Sequence, residues 1–400
     1  MRKASLTRAF ILIALYSVAV NFAHPVTPAL IQNLGLPDYM FGVAFASMAI
    51  TNFLFSPFWG KFSEQYGSTR TMSIGLLGYA VGQFVFMVSK SELSIIVGRM
   101  IAGLFMGGCG VNIILYVSKH SSLKKRAYNL TIATTLNVAF GPFGYLLGGY
   151  IGDYSIRLTF ITQIISVILI ALAYLLFLTD DDVDKKDTTI YRLIMESNPL
   201  NVFKLSAQLI SNYLLVFFIV VALGSFAATG YEQCFNYFIM DQFGFPPSYN
   251  GLLRTAVGFT ALIVNSTICL WILRKTDLSK SLMFLLLVSS LAMGVIVSLN
   301  QVLPFIIANI LFFGINAIRE PLLQAILTEK GDTNNGILIG IYNSMKSLGM
   351  VSGSLFAGFI YVVGPRLSFV SAFVVFGLAG ALAYINYKQG QGSALPTERL

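Results

Sequence analysis

The sequence predicts an all-α membrane protein with twelve transmembrane helices in two pseudo-symmetric six-helix bundles. Three observations predict this class: 56% of the 400 residues are hydrophobic, only 11% are charged, and the apolar residues fall into twelve runs. A soluble globular domain carries about 25% charged residues, so this chain has too few charges to cover a water-facing surface. The composition therefore excludes a soluble enzyme, a disordered chain and a nucleic-acid-binding protein, and it indicates a lipid bilayer as the surroundings.

Each apolar run is long enough to be a transmembrane helix, which needs about 20 mainly apolar residues. Most runs are joined by short connections, so neighbouring helices are expected to be antiparallel. The predicted spans, numbered 1 to 12 in order, are Ala9–Leu30, Tyr39–Trp59, Met72–Val88, Leu93–Val117, Tyr128–Ile151, Leu158–Leu178, Leu214–Met240, Gly251–Leu273, Leu282–Leu299, Val302–Leu327, Ile337–Val363 and Phe369–Tyr387.

The charges in the connections predict the orientation. With the N-terminus in the cytoplasm, 19 of the 26 Lys and Arg residues lie in cytoplasmic segments and 3 lie on the opposite side. Membrane proteins accumulate Lys and Arg in their cytoplasmic loops. We therefore expect a multi-pass protein of the plasma membrane with both termini in the cytoplasm. The net charge of +9 then reports orientation and gives no sign of a nucleic-acid partner.

The second half of the sequence repeats features of the first. Gly35 and Pro37, between spans 1 and 2, have counterparts 209 residues later at Gly244 and Pro246, between spans 7 and 8. Because span 1 thus has a partner in span 7, we expect it to be retained and not removed as a signal peptide. The predicted parts are an N-terminal bundle at 1–178, a cytoplasmic linker at 179–211, a C-terminal bundle at 212–388 and a flexible tail at 389–400.

Part of the linker has a mixed character. Residues 188–208 mix apolar and polar side chains at roughly helical spacing. Such a segment either lies along the cytoplasmic membrane interface or is a plain connection, and the sequence leaves both interpretations open.

A connection framed by glycines joins spans 2 and 3. Gly60 and Gly67 stand seven residues apart, Glu64 lies between them, and Arg70 follows the second glycine. Glycine permits a tight turn, and an acid near a helix end can bind basic groups or helix N-termini of the other bundle. We interpret this connection as a gating latch, in preference to a solvated turn.

Spans 4 and 5 carry two further motifs. Arg99 is followed four residues later by Gly103, and Gly141 and Pro142 are followed by Gly144. Together with the glycine-framed connection, these residues resemble signatures of the major facilitator superfamily, and within it the twelve-helix drug:proton antiporters.

The match to that family is partial. Ser68 and Thr69 replace the basic pair that follows the second glycine of the loop, and Tyr145 and Leu146 interrupt the antiporter motif Gly-Pro-x-x-Gly-Gly. The resemblance implies the major facilitator fold, a small-molecule substrate and protons as the coupling ion. It also implies gating roles for Gly60, Glu64, Gly67, Arg70, Gly103, Gly141 and Pro142.

Six charged residues lie inside the predicted spans, where an ionised group costs about 2.5–3.5 kcal/mol and must be paired or face water. They are Arg99, Glu232, Arg254, Arg319, Glu320 and Lys346. With about 1.5 Å of rise per residue, Arg319, Glu320 and Lys346 reach a common depth. Glu320 can therefore meet Lys346, or Arg319 can meet a substrate carboxylate, and a Glu232–Arg254 pair is predicted across the short connection between spans 7 and 8.

The candidate proton-coupling residues are Glu232, Glu320 and His24, because a carboxylate balanced between desolvation and basic neighbours can gain and lose a proton. A structural ion pair remains the alternative for both acids, and a packed side chain for His24. The polar and charged residues expected to line the substrate site are Asn21, Asn112, Arg99, Tyr231, Gln233, Asn236, Tyr237, Arg254, Asn316, Arg319 and Lys346. Cys109, Cys234 and Cys269 are widely spaced, and we expect neither a metal nor a cofactor.

The expected function is secondary active transport, namely proton-coupled export of small amphipathic compounds by alternating access, in a monomer. Four basic residues against two acids inside the spans leave a surplus of +2. That surplus also suits an exporter or flippase for an anionic or zwitterionic metabolite or a lipid-linked substrate, so this alternative stays open. A membrane-embedded enzyme is disfavoured, because the sequence assembles neither a nucleophile–base pair nor a metal cluster.

Overall fold

A computed structural model describes residues 2–179, 190–197, 212–330 and 335–392, and every regular element in these ranges is a helix. The helices, in chain order, are α1 Arg2–Val20, α2 Thr27–Asn33, α3 Met40–Tyr66, α4 Ser68–Met87, α5 Glu92–His120, α6 Arg126–Tyr154, α7 Ile156–Phe177, α8 Ile190–Glu196, α9 Asn212–Asp241, α10 Pro247–Val264, α11 Leu270–Lys275, α12 Leu278–Ser298, α13 Val302–Ala317, α14 Arg319–Lys330, α15 Asn335–Val363 and α16 Leu367–Gly392. A short 3-10 turn, Leu123–Lys125, precedes α6, and a π-helical turn, Asn265–Cys269, joins α10 to α11.

The predicted all-helical membrane fold is confirmed. Each of the twelve predicted spans lies, to within one residue, on one helix or on two consecutive helices. Within the described ranges, ten helical stretches are long and apolar enough to cross a membrane. The helix α4 falls outside that group, and the apolar part of α1, Leu6–Val20, forms a shorter helix.

Three of the spans are interrupted. Span 1 is broken by a turn at residues 21–26, span 8 by the π-helical turn, and span 10 at Ile318. Two of the three breaks have a proline nearby: Pro25 lies inside the break in span 1, and Pro321 comes three residues after the break in span 10. Proline has no amide hydrogen to donate, so it cannot complete the helical hydrogen-bond ladder.

The contacts divide the chain into two compact units. The first comprises residues 1–199 together with 236–258, and the second comprises residues 200–235 together with 259–400. The end of α9 and the start of α10 therefore cluster with the helices of the first unit.

The first unit has its apolar core among α1, α4, α5 and α7. Small residues let α4 and α5 pack closely: a side chain at Gly82 would collide with the backbone of Ala102, and one at Gly75 with that of Gly108. The short helix α8 packs on α3 in this unit.

The second unit has an aromatic core. The ring of Tyr231 on α9 contacts Phe312 and Phe313 on α13 and Phe369 on α16. The hydroxyl of Tyr231 donates a hydrogen bond to Oδ1 of buried Asn309. Large aromatic side chains thus hold three helices of the unit together.

Two turns with the same backbone conformation mark the internal repeat. Gly35, after α2, has a φ of 61°, and its counterpart Gly244, after α9, has a φ of 66°. The third described glycine with a positive φ is Gly67, at 92°, in the connection between α3 and α4. Residues with a side chain seldom adopt this conformation, so each of these turns depends on its glycine. All three glycines stand in connections that the sequence predicts.

A second pair of features repeats between the halves. A side chain at Gly148 on α6 would collide with the carbonyl oxygen of Phe22, and one at Gly353 on α15 would collide with that of Phe226 on α9. In each half, the helix of the fifth span therefore packs against the helix of the first span through a glycine. This is the close approach that small residues permit between transmembrane helices.

Some predicted boundaries remain predictions. Residues 180–189 and 198–211 of the predicted linker lie outside the described residues, and α8 is the part of the linker that is described. At the other end, α16 continues to Gly392, beyond the predicted limit of the C-terminal bundle, while 393–400 lie outside the described residues.

Candidate functional site

Three of the six charged residues predicted inside the spans, Arg254, Arg319 and Glu320, lie on interrupted spans. Irregular backbone at membrane depth is tolerated only where it is buried in protein or lines a cavity. In transporters, such discontinuous helices form the binding sites for substrate and coupling ion. Each unit contains one cluster of polar and charged side chains beside such an interruption.

In the first unit, His24 lies in the break between α1 and α2. Its ring stacks on that of Tyr145, with centroids 5.4 Å apart and planes 15° apart. The guanidinium carbon of Arg254 lies 5.7 Å from the centroid of the same tyrosine ring. Nε of Arg254 also donates a hydrogen bond to Oδ1 of Asn236, at 3.1 Å. Tyr145 therefore connects a histidine and an arginine that the sequence placed on separate spans.

Arg99 on α5 is buried among neutral groups. Its side chain is 4% exposed, Nη2 donates to Oγ1 of Thr27 at 2.9 Å, and Nη1 lies 3.7 Å from Sδ of Met48. The guanidinium carbon stands 4.0 Å from the centroid of the Phe86 ring, a favourable cation–π arrangement. Nε has no hydrogen-bond acceptor among the described residues.

The motif glycines of spans 4 and 5 position these side chains. A side chain at Gly103 would collide with the carbonyl oxygen of Met48, so α5 approaches α3 closely one turn after Arg99. The carbonyl oxygen of Pro142 accepts a hydrogen bond from Oγ1 of Thr255 at 3.0 Å, and the Pro142 ring fills the space beside Gly258. The antiporter-like motif thus forms the contact between α6 and α10 within the first unit.

Two predicted pocket residues of the first unit make mainly backbone contacts. The Nδ2 group of Asn21 donates to the carbonyl of Ser17 at 2.7 Å, and Gly141 lies beside the same Asn21 amide. Asn112 is fully buried, and its Nδ2 group donates to the carbonyls of Gly108 at 2.9 Å and Trp59 at 3.4 Å. The amide of Asn112 thus joins α5 to α3, whereas that of Asn21 bonds to the preceding turn of its own segment.

In the second unit, Glu320 lies just after the break at Ile318. Its Oε2 accepts hydrogen bonds from Nζ of Lys346 at 2.7 Å and from the hydroxyl of Tyr342 at 2.8 Å. Its Oε1 lies 3.3 Å from Nη2 of Arg319. The contact between Glu320 and Lys346 is the one that the common depth of the two residues predicts.

Arg319 is fixed by two further polar groups. Nε donates to Oδ1 of Asn316 at 3.2 Å, and Nη1 donates to Oγ of Ser225 at 3.4 Å. The Arg319 side chain is 7% exposed, whereas those of Glu320 and Lys346 are 28% and 32% exposed. The cluster therefore has a buried, fixed cation on one side and an accessible ion pair on the other.

The other candidates on α9 have different surroundings. The hydroxyl of Tyr237 donates to Oδ1 of Asp38 at 2.6 Å, its ring stacks on Phe41, and the residue is buried, as is Tyr231. Glu232 and Gln233 are half-buried. The predicted Glu232–Arg254 contact stays a prediction.

The candidate latch lies at the junction of α3 and α4. Gly67 makes the turn, Gly60 faces Val111 on α5, and Glu64 and Arg70 are exposed. The binding partner predicted for Glu64 in the other bundle stays a prediction. Among the described residues, no group of three His, Cys, Asp or Glu is placed to hold a metal ion.

Comparison with known proteins agrees with these motifs. A family model for the Major Facilitator Superfamily matches residues 9–318, more than three quarters of the chain. The chain belongs to the Major Facilitator Superfamily.

Relatives of this superfamily member include two bacterial proteins that are named for drug resistance. Multidrug resistance protein 2 of Bacillus subtilis is 22% identical over 371 residues, covering 88% of this chain and 91% of the relative. The quinolone resistance protein NorA of Staphylococcus aureus is 23% identical over 382 residues, covering 94% and 95%. The chain thus aligns with more than nine tenths of the length of both relatives.

Solved structures of other transporters share the fold. A bacterial homologue of the human lysosomal transporter Spinster, in an inward-facing and unoccupied conformation, superposes with a TM-score of 0.73 at 13% identity and covers 99% of both chains. The human organic anion transporter MFSD10 superposes with a TM-score of 0.67 at 18% identity, covering 96% of this chain and 99% of that one. At these identities the likeness establishes the major facilitator fold, and the chain is a transporter of that superfamily, not an enzyme.

Three residues of the two clusters were missed by sequence reasoning. Tyr145 was noted only as a departure from the antiporter motif, yet it is the ring on which His24 stacks. Thr27 contacts Arg99 from another helix, which no local pattern reveals. Tyr342 did carry a signal: it precedes Lys346 by four residues, so both side chains lie on one face of α15.

Proposed function

We propose that this superfamily member is a proton-coupled exporter of small amphipathic compounds that acts as a monomer by alternating access. Glu320 is the leading proton carrier, with Glu232 second and His24 third. The family membership and the names of the drug-resistance relatives support the export of such compounds.

The observation that carries the proposal is the balanced setting of Glu320. Its carboxylate is partly withdrawn from water, which favours the protonated form, and it contacts two cations, which favour the charged form. The side chain is 28% exposed, so the protein does not fully enclose the carboxylate. A proton that moves down a potential of 100 mV supplies about 2.3 kcal/mol, enough to drive useful accumulation.

The test is transport in proteoliposomes that hold a pH-sensitive dye. Adding the lipophilic cation tetraphenylphosphonium is expected to move protons in the opposite direction. Glu320→Gln is expected to abolish this exchange, because an amide does not ionise. Glu232→Gln is expected to reduce it, with the proton-to-substrate ratio lowered.

Glu329→Gln is the matched control, since Glu329 lies on the same helix α14 but is exposed. It is expected to leave exchange unchanged. Full substrate-driven proton movement in Glu320→Gln would rule out Glu320 as the carrier. Transport that proceeds equally without a pH gradient or a potential would contradict the proposal that protons drive it.

A second candidate function is export or flipping of an anionic or zwitterionic metabolite or a lipid-linked substrate. The observation that favours it is the surplus of buried cations: Arg99 has neutral contacts, and Arg319 and Lys346 share one carboxylate. The fold shared with a human organic anion transporter is in keeping with this candidate. Substrate screens with both signs of charge separate the two functions.

We also propose that the protein resides in the plasma membrane with both termini in the cytoplasm. The distribution of Lys and Arg, 19 to 3 in favour of the cytoplasmic side, supports this orientation.

A further inference from the structure

The cluster around Glu320 already binds a carboxylate group, its own. Three side chains converge on the two oxygens: Lys346 and Tyr342 donate to Oε2, and Arg319 approaches Oε1. Lys346 and Tyr342 stand four residues apart on α15, so they present their donors side by side. Arg319 is fixed from behind by Asn316 and Ser225, so its position does not depend on Glu320 alone.

The charges acting on Glu320 are those of Arg319 and Lys346, and Tyr342 is the other titratable group in contact with it. With Glu320 ionised, two cations and one anion give the cluster a net charge of +1. When Glu320 takes up a proton, its charge is lost and two cations face no acid within the cluster. That state is costly in surroundings of low dielectric, and a second carboxylate relieves it.

We propose that a protonated Glu320 yields its place to a carboxylate group of the substrate, which Lys346, Tyr342 and Arg319 then hold. Proton binding and carboxylate binding therefore help each other, whereas a proton and a cationic substrate compete for Glu320. This inference rests on the proposed role of Glu320 as proton carrier and names a further substrate class for the same cluster, namely anionic or zwitterionic compounds that carry a carboxylate. Such a compound moves in the same direction as the proton, whereas a cationic compound moves in the opposite direction.

The exposure of the side chains agrees with such an exchange. Glu320 and Lys346 are 28% and 32% exposed, so the protein does not fully enclose either side chain of the ion pair. Oε1 of Glu320 accepts no hydrogen bond from any described residue, and its contact with Nη2 of Arg319, at 3.3 Å, is an ion pair. With Glu320 protonated and a substrate carboxylate bound, the cluster again has two cations and one anion. Its net charge is then +1, the same as without substrate when Glu320 is ionised.

The experiment compares two probes that differ only in the sign of their charge. Binding of 1-naphthoate and of 1-naphthylmethylammonium to the purified full-length protein is measured by calorimetry between pH 6 and pH 8. Each titration is repeated in two buffers of different ionisation enthalpy, which gives the number of protons taken up or released. Naphthoate is expected to bind with proton uptake and to tighten by up to about tenfold per pH unit as the pH falls. The ammonium probe is expected to release protons on binding.

Three variants test the residues. Glu320→Gln mimics the protonated acid, so naphthoate affinity is expected to become independent of pH and to match the acidic limit of the unchanged protein. Lys346→Met is expected to weaken naphthoate binding about tenfold. Lys388→Met is the matched control, because Lys388 lies over the ring of Tyr384 outside the cluster, and it is expected to have no effect.

Naphthoate binding without proton uptake in the unchanged protein overturns the proposal, and this result needs no variant to fold. No naphthoate binding at pH 6, or an unchanged pH dependence in Glu320→Gln, overturns it as well. Because binding is measured at equilibrium without a membrane gradient, its outcome is separate from the proteoliposome test of export.

Discussion

Arg99 shows how a single buried charge is accommodated in a chain with few charges. Its contacts are a hydroxyl, a thioether and an aromatic face, all of them neutral. Burial has removed the water that would otherwise solvate this charge, so each remaining polar partner matters for its stability. At 2.9 Å, the hydrogen bond to Thr27 is the shortest of these three contacts of the guanidinium.

Replacing Thr27 with Val is therefore expected to destabilise the protein by about 1–3 kcal/mol, the usual range when a buried donor loses its partner. Valine keeps the shape of threonine but has no oxygen to accept from Nη2. Thermal unfolding in detergent measures the change.

Thr134→Val provides the comparison for that variant. Thr134 is exposed, and its hydroxyl donates only to the carbonyl of Leu130 on its own helix. Its loss is expected to shift unfolding by less than about 0.5 kcal/mol. Equal shifts in the two variants would show that the Arg99 contact contributes nothing to stability.

At this scale, the sequence predicts a residue's depth but not its contacts. Glu320 and Lys346 were paired by counting helical rise along two spans, and they do meet, at 2.7 Å. Tyr231 and Asn112, two of the residues expected to line the substrate site, are fully buried. The sequence does not reveal this, because the hydrophobic pattern does not tell which face of a spanning helix meets a neighbour. In a membrane protein both faces can be apolar.

At the scale of elements, glycine contacts hold each half together in the same way. The fifth-span helix α6 meets α1 and its following turn at Gly148, and the eleventh-span helix α15 meets α9 at Gly353. Both contacts bring a glycine against a backbone carbonyl, where the space left is smaller than a methyl group. The sequence shows both glycines but does not identify the helix that each of them contacts.

Gly148→Ala and Gly353→Ala are each expected to destabilise the protein by about 1–3 kcal/mol, since an added methyl group must push two helices apart. Gly110→Ala is the matched control, because nothing lies within 4 Å of the added atom. Alanine is the better helix former, so Gly110→Ala is expected to stabilise α5 by up to about 1 kcal/mol. Unfolding temperatures in detergent compare the three variants, and a neutral Gly148→Ala would contradict the close contact.

At the scale of the whole molecule, the spans could be predicted almost completely and the breaks within them only in part. All twelve spans fall on helices because length and apolar composition alone decide whether a segment can cross a bilayer. The interruption near Pro25 has a visible cause, whereas the π-helical turn at Asn265–Cys269 has no such marker in the sequence. Such turns arise from how a helix is packed, and that depends on neighbours distant in the chain.

The proposed orientation leads to a labelling prediction. Lys90 lies in the connection between α4 and α5, Lys124 lies in the one between α5 and α6, and both are exposed. In intact cells, Lys90→Cys is expected to react with a membrane-impermeant maleimide, and Lys124→Cys only after the membrane is permeabilised.

The background in that labelling is low, since Cys109, Cys234 and Cys269 are buried. Reaction of both introduced cysteines before permeabilisation would place the two connections on the same side and refute the topology. The reverse order of reaction would invert it.

One contact within the first unit bears on how the chain arose. Gln32 and Asp241 each stand three residues before the repeated turn glycine, which makes them the same position in the two halves, and Nε2 of Gln32 donates to Oδ1 of Asp241 at 3.3 Å. In a symmetric dimer, a residue touches its own copy only at the two-fold axis. A half-length ancestor that paired with itself would have placed this residue against its twin. After duplication and fusion, the two copies of such a residue would be free to differ, as the donor Gln32 and the acceptor Asp241 do here.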